Sequence, residues 1–350
     1  MNALIIGFGK MGMLHAATLN TFSEIKNIMI CEPSALIQSG LRSFNAPFPI
    51  FNDLEKALAS QKIDLAVIAT PTSSHTAIFR RLMQSSLHTF IEKPMASNVE
   101  EAGQCVNAWQ KTNSQPKVMV GHCLRHTPTF QLAKKMLDEN ALGEIQSFTA
   151  EMYSPDVLKK TKGWRFKKGL IGGGVLLDLG SHLVDMVQYL FGMPNNVNGH
   201  IEQIVSAHVE DAFEACFDYA DFSGEVTASW SKPEVRKATL SIKIQGSAGD
   251  LVVLDDWIEF NLKESWSGYA TGHNTCSITQ LETHVPFDLA GPMYTRQLKD
   301  WTDSILGNQV YQNDLYTNMN NMILIEAIRE SKRSSINIQD IPNPLLEAII

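Results

Sequence analysis

Ala3-Leu-Ile-Ile6-Gly7-Phe8-Gly9-Lys10-Met11-Gly12 decides the fold: a short apolar strand runs into a glycine-rich turn, and a helical pattern follows through Asn20. In such a unit the first glycine makes the turn and the second lets the backbone approach a pyrophosphate. The third permits close packing of helix on strand, with the phosphates at the helix amino terminus. Gly7, Phe8, Gly9, Lys10, Met11 and Gly12 are therefore candidate contacts to a dinucleotide. A lone GxGxxG is weak evidence, but this one has its strand before it and its helix after it. A second strand, Asn27-Ile-Met-Ile-Cys31, ends at Glu32. A carboxylate there accepts hydrogen bonds from the adenosine ribose hydroxyls and repels a 2′-phosphate, so NAD is expected rather than NADP.

Working outward, strands and helices go on alternating. Helices are expected near 34–43, 53–60 and 98–111, and strands near 49–51, 64–70, 88–92 and 117–121. Alternation of this kind gives a parallel sheet whose ligands gather at the carboxyl ends of its strands. Thr70, Pro71 and His75 fall on that edge, as does Glu92-Lys93-Pro94. Proline disfavours the helical region for the residue before it, so Lys93 is expected to be extended at a strand end, beside the nicotinamide. His122 and Arg125 follow the last of these strands and are expected to face the cleft.

From Ile145 onward the pattern changes. Runs near 145–153, 199–207, 212–219, 225–231, 238–245, 250–254 and 257–262 have few helices among them, which predicts an antiparallel sheet. A long loop is expected over 263–292, with helices near 293–306 and 315–333 closing the chain. The predicted class is α/β: an N-terminal Rossmann parallel sheet over 1–122, then a C-terminal α+β domain over 123–350 with a large, mostly antiparallel sheet.

At the join lies Gly172-Gly-Gly-Val-Leu-Leu-Asp178-Leu-Gly180-Ser-His182-Leu-Val-Asp185, a glycine-led helix. At 100° per residue Asp178, His182 and Asp185 share one side, while Leu176, Leu179, Leu183, Met186, Val187 and Leu190 cover the other. Gly180 inside it costs about 1 kcal/mol relative to alanine, which suggests close approach by a ligand or another backbone. Asp and His one turn apart also form ordinary surface pairs. A metal is not expected, because no further ligands arrive in a recognisable spacing. Just before this helix, Lys159-Lys-Thr-Lys-Gly-Trp164-Arg165-Phe-Lys-Lys168 is the one strong basic run. It is either a solvated loop or a seat for an anionic substrate part, with Arg165 the best bidentate donor.

The chain has a net charge of −8 over 350 residues, which argues against a nucleic-acid partner, since such binding needs a basic field. Five scattered cysteines without a CxxC pair suit free thiols in a reducing compartment. No apolar run approaches a bilayer span, and a cytoplasmic location is expected, with no membrane partner.

Taken together, the glycine motif, Ala69-Thr-Pro71 with His75, Glu92-Lys-Pro94, Arg125 followed by Pro128, Leu142-Gly-Glu-Ile145, Gly163-Trp-Arg165 and the glycine-led helix resemble the family of NAD(P)-dependent oxidoreductases typified by glucose-fructose oxidoreductase and inositol 2-dehydrogenase. The resemblance covers about the first 190 residues in family order. It implies that Lys93, Asp178 and His182 line the reactive centre and that the second domain's sheet forms a homodimer or homotetramer. It also implies oxidation of a secondary alcohol on a sugar, a sugar derivative (anionic and nucleotide-linked ones included) or a cyclitol. Alternatives are an NAD-dependent glycoside hydrolase using transient oxidation, and an NAD-bound regulator without turnover. Cofactor contacts are expected from the glycine motif, Glu32, Thr70, Pro71, His75 and Glu92, and substrate contacts from Lys93, His122, Arg125, Trp164, Arg165, Asp178 and His182. An imidazole titrating at about 6.5 suits a general base, whereas a lysine near 10.4 does not, so His182 is expected to take the hydroxyl proton while Lys93 polarises the oxygen. One departure stands out: His122-Cys-Leu-Arg125 replaces a family pattern like Phe-Asn-x-Arg.

Overall fold

A computed structural model describes residues 1–43, 47–155, 158, 173–281, 285, 287–307 and 311–344. The chain divides into two compact units, one of residues 1–96, 100–123 and 284–318, the other of residues 97–99, 124–283 and 319–350. The expected domains, 1–122 and 123–350, differ from these units chiefly at 284–318, which belongs with the first.

In the first unit, six strands form one parallel sheet: β1 (Asn2–Ile6), β2 (Asn27–Cys31), β3 (Ile50–Phe51), β4 (Leu65–Ile68), β5 (His88–Ile91) and β6 (Val118–Val120). Between them come α1 (Lys10–Leu19), α2 (Ala35–Ser43), α3 (Leu54–Ser60), α4 (His75–Met83) and α5 (Val99–Gln110). The spatial order is β3-β2-β1-β4-β5-β6, so the winding reverses between β1 and β4, and the crevice at their carboxyl ends is the expected ligand site of such a sheet. Leu4, Ile5, Leu65, Ala66, Val67 and Phe90 are wholly buried because helices cover both faces, which is why these strands read as continuous apolar runs. One face packs Ile5, Val67 and Phe90 against Ala16 and Leu19 of α1 and against Leu298 and Trp301 of the helix Pro292–Ile305. Each of the larger aliphatic and aromatic side chains contributes about 1.5–3 kcal/mol.

The second unit is built on a nine-stranded sheet in the order β14-β13-β12-β11-β7-β10-β9-β8-β15. Its strands are β7 (Ile145–Tyr153), β8 (Asn196–Glu202), β9 (Ala212–Asp218), β10 (Ser223–Ser229), β11 (Thr239–Gly246), β12 (Gly249–Leu254), β13 (Trp257–Leu262), β14 (Gly272–Ser277) and β15 (Ile336–Asn337). All neighbours run antiparallel except β7 and β10, which pair in parallel from Ser147↔Ser223 to Tyr153↔Ser229. Phe148, Ala150, Met152, Val226, Ala228, Leu240, Ile242 and Ile244 form the buried face. Over it lie α6 (Pro128–Asp138), against β12 and β13, and α7 (Gly174–Phe191), against β7, β9 and β10.

Two expected elements shift. The strand expected over 199–207 ends at Glu202, because the amides of Ile204, Val205 and Ser206 donate to the buried Asp211 carboxylate at 2.6, 2.7 and 2.6 Å instead of to a ladder. The loop expected over 263–292 contains β14, which pairs with β13, and a short helix at Ile278–Leu281. Polar His273-Asn-Thr-Cys-Ser277, with only Cys276 buried, carries too little apolar alternation to announce a strand.

All five thiols are free, and four are buried. Burial raises Cys31 to about 11 and Cys105 to about 12, so both stay protonated as small apolar fillers. Among the described residues no helix is long and apolar enough to cross a membrane.

At the turn between β12 and β13, Asp255 has one carboxylate oxygen buried without a partner among the described residues. Burial pushes its carboxyl up to about 6 from 3.8, with Lys237 opposing and Asp256 adding to the rise. The folded state therefore holds this proton more tightly than the unfolded one, and stability falls as pH rises from about 4 through about 6. Asp255→Asn is expected to raise stability at neutral pH by on the order of 2 kcal/mol and to flatten that part of the profile, as read from melting temperatures across the window.

Candidate active site

In the first unit the glycine turn has the geometry its sequence calls for. Gly7 sits at φ +87, and a Cβ there would lie 2.8 Å from the Ala69 carbonyl oxygen at the end of β4. A Cβ on Gly12 would fall 2.0 Å from the Gly7 oxygen, so α1 packs closer to β1 than any side chain would permit. Nothing lies within 4 Å of a Cβ on Gly9, which leaves that stretch of backbone open to a ligand. Gly9 provides no side-chain cap, and the first turn of α1 holds no acidic residue, so its leading amides are available for an anion. Lys10 is exposed beside them and Met11 half-buried.

Glu32, at the end of β2, is buried. It accepts the Phe8 amide at 2.7 Å on one oxygen and the Ser34 amide at 2.8 Å on the other. The two bonds fix the carboxylate beside the glycine turn, and each oxygen keeps a lone pair for a hydroxyl donor. Thr70 is half-buried with its hydroxyl bonded to Ser74 at 2.7 Å, and Pro71 is exposed.

His75 and Glu92 have internal partners. The His75 ring is buried, with Nδ1 3.0 Å from the Pro94 carbonyl oxygen and Nε2 2.9 Å from that of Thr70. Burial lowers its pKa below the ordinary imidazole range, while the two carbonyls and the charge of Glu92 pull the other way. Glu92 meets Nε2 of the buried His15 at 2.5 Å. Lys93 is half-buried and is joined to Pro94 by a cis peptide bond. The His122 ring is buried, and its carbonyl accepts from Asn313 at 3.0 Å.

The second unit holds the remaining candidates on or beside α7. As the periodicity predicts, Leu176, Leu179, Leu183, Met186, Val187 and Leu190 are buried, and Asp178 and His182 are half-buried. Asp185, placed on the same side by its spacing, is wholly buried, unlike the other two. The Arg125 guanidinium grips its carboxylate through Nε at 2.9 Å and Nη2 at 2.7 Å, and Asn321 donates to it at 2.7 Å. The Tyr189 ring lies 5.0 Å below the same guanidinium. Arg125, expected to touch substrate, thus has its fork engaged inside the unit.

Gly180 is also explained internally. A Cβ there would lie 2.9 Å from the Phe213 ring of β9, so the glycine lets helix approach sheet and the nearest neighbour is a side chain, not a ligand or another backbone. The amino terminus of α7 is organised by Glu210, which the sequence does not single out. The Val175 amide donates to its backbone carbonyl at 3.0 Å and the Leu176 amide to its carboxylate, which lies 2.1 to 2.4 Å from where a Gly174 Cβ would sit. Burial raises the pKa of this carboxyl against those hydrogen bonds. Trp164 and Arg165, with the whole basic run 159–168 and Gly172, lie outside the described residues.

Residues 1–122 match the oxidoreductase family's NAD-binding Rossmann-fold model, and residues 130–252 match the GFO/IDH/MocA C-terminal domain. The chain belongs to the Gfo/Idh/MocA oxidoreductase family. Among curated members of the Gfo/Idh/MocA family it resembles scyllo-inositol 2-dehydrogenase (NADP(+)) IolW of Bacillus subtilis (strain 168), at 28% identity over 222 residues, 61% of this chain and 59% of that protein. It also resembles inositol 2-dehydrogenase of Rhizobium meliloti (strain 1021), at 24% identity over 260 residues, 70% of this chain and 73% of that one. The chain therefore aligns with about three-fifths of the length of the first relative. A levoglucosan dehydrogenase solved with NADH and levoglucosan superposes with a TM-score of 0.83 at 23% identity, covering 97% of this chain and 99% of the other. At that identity the likeness establishes the fold.

Proposed function

We propose that this chain is an NAD-dependent dehydrogenase that oxidises a secondary alcohol of a sugar, a sugar derivative or a cyclitol. The observation that carries the reading is the arrangement at the carboxyl ends of β1 and β2. An uncapped helix terminus, an open glycine backbone and a fixed carboxylate stand together there, which fits the pyrophosphate and ribose of a dinucleotide. Glu32 favours NAD over NADP, although one relative's name specifies NADP(+). When bound, the nicotinamide supplies the hydride acceptor.

The chain's own groups handle position and proton. Lys93 hydrogen-bonds the substrate hydroxyl and steadies its growing alkoxide character, His182 takes the proton, and Asp178 orients the imidazole or holds a neighbouring hydroxyl. Substrates of the named relatives, inositols and levoglucosan, support a polyol. The face of the nine-stranded sheet opposite α6 and α7 presents Thr149, Glu151, Thr227 and Ser241, half-buried, and serves as the surface for a homodimer or homotetramer. Five free thiols accord with a cytoplasmic location.

The test is a screen for nicotinamide reduction over cyclitols, aldoses, uronates and nucleotide sugars, with NAD and NADP in parallel. The expected result is turnover of at least one class with NAD preferred by about tenfold or more. Absence of reduction with every substrate and both cofactors would overturn the proposal.

A further inference from the structure

Lys93 lies between two residues that are each held by a buried imidazole. On one side His15, from α1, meets Glu92 Oε1 at 2.5 Å, and on the other His75, from α4, meets the Pro94 carbonyl at 3.0 Å. Neither ring reaches water: His15 is 0% and His75 1% exposed. His15 is itself set edge-on against Phe90, with ring centroids 5.0 Å apart. Glu92 is further pinned by its amide, which donates to the Ile68 carbonyl at 2.9 Å, and its carboxylate lies 3.4 Å from where a Gly121 Cβ would sit. The second nitrogen of His75 lies 2.9 Å from the Thr70 carbonyl oxygen, and because a neutral ring carries one N–H, the clamp requires the tautomer that donates from Nδ1 to Pro94. From this geometry we infer that His15 and His75 are positioning residues that clamp the Glu92-Lys93-Pro94 corner and so fix where the Lys93 ammonium is delivered. The inference rests on the dehydrogenase reading and adds two residues to it.

Stability alone gives a poor account of the arrangement. Burying an imidazole and a carboxylate costs desolvation that their attraction roughly cancels, and an apolar pair of similar volume would hold the fold as well. What an apolar pair lacks is direction. A hydrogen bond on each side of Lys93 leaves its backbone no shift that does not break one of them. Misplacement of a reacting group by about 1 Å costs on the order of 10²-fold in rate.

The decisive variant is the double replacement His15→Leu with Glu92→Met, which removes both polar partners and leaves neither orphaned. In the full chain it is expected to keep its melting temperature and its NADH Kd, read by fluorescence, while kcat falls by about tenfold or more at little-changed KM. His15→Gln, which keeps a donor, is expected to recover most of kcat. Unchanged kcat would overturn the clamp, and so would a loss matched by equal losses of NADH affinity or folded fraction. If the double variant does not fold, His75→Leu, which removes the donor to the Pro94 carbonyl, carries the same test: kcat must fall at unchanged NADH Kd, or the clamp is wrong. Lack of turnover by the unaltered chain on every polyol would sink the dehydrogenase reading and the clamp with it, whereas failure confined to the variants sinks the clamp alone.

Discussion

Lys93→Ala and His182→Ala are each expected to lower kcat by about 10²-fold or more while NADH still binds. Neither side chain belongs to the glycine turn or the Glu32 carboxylate that fit the dinucleotide, so removing either leaves cofactor affinity in place. What is lost is stabilisation that exists only while the hydroxyl gives up its proton. The ammonium of Lys93 would offset alkoxide charge, and His182 would accept the proton, each typically worth two to four powers of ten. A distinction between the two follows. His182→Ala should leave a residual rate that climbs with pH, because hydroxide replaces the missing base, whereas Lys93→Ala should not be rescued that way. Steady-state kinetics from about pH 6 to about pH 10, with NADH binding measured in parallel, checks both. Near-normal turnover in the two variants would refute the assignment.

Breaking the ion pair of Arg125 and Asp185 is expected to cost about 3–5 kcal/mol of folding stability. The guanidinium is 7% and the carboxylate 1% exposed, and their bidentate contact is completed by Asn321. Arg125→Met takes the cation from a carboxylate held in the interior, and Asp185→Leu takes the anion from a buried guanidinium. Removing both at once restores balance, so the double variant should recover much of the loss. Urea denaturation of the three variants reads this directly. Additive losses would show that the two side chains do not act as a pair, and a rise in KM without loss of stability would return Arg125 to the substrate.

The parts of the molecule that were legible in the sequence are those written in local spacing. The strand, turn and helix of residues 3–20 and the carboxylate that closes β2 are contiguous patterns, and each glycine of the turn meets the steric demand its position implies. The apolar stripe of α7 was legible for the same reason. Contacts made across long stretches of chain were not. Arg125 and Asp185 are 60 residues apart and His15 and Glu92 are 77 apart, so nothing in either neighbourhood signals the partner. His15 reads as one more residue on the packed face of α1, and Gly180 reads as room for a ligand until Phe213 is seen against it. The parallel pairing of β7 with β10 inside an otherwise antiparallel sheet is equally silent, because side-chain alternation is the same in either direction.

The Glu210 carboxylate at the head of α7 bears on which substrates the enzyme would favour. The amino-terminal end of that helix already faces a protein carboxyl, which accepts the Leu176 amide. A uronate or a sugar phosphate would reach those leading amides only by displacing the Glu210 side chain. Glu210 thus reserves the head of α7 for the protein itself, and a ligand would meet the helix along its side, where Asp178 and His182 stand half-buried.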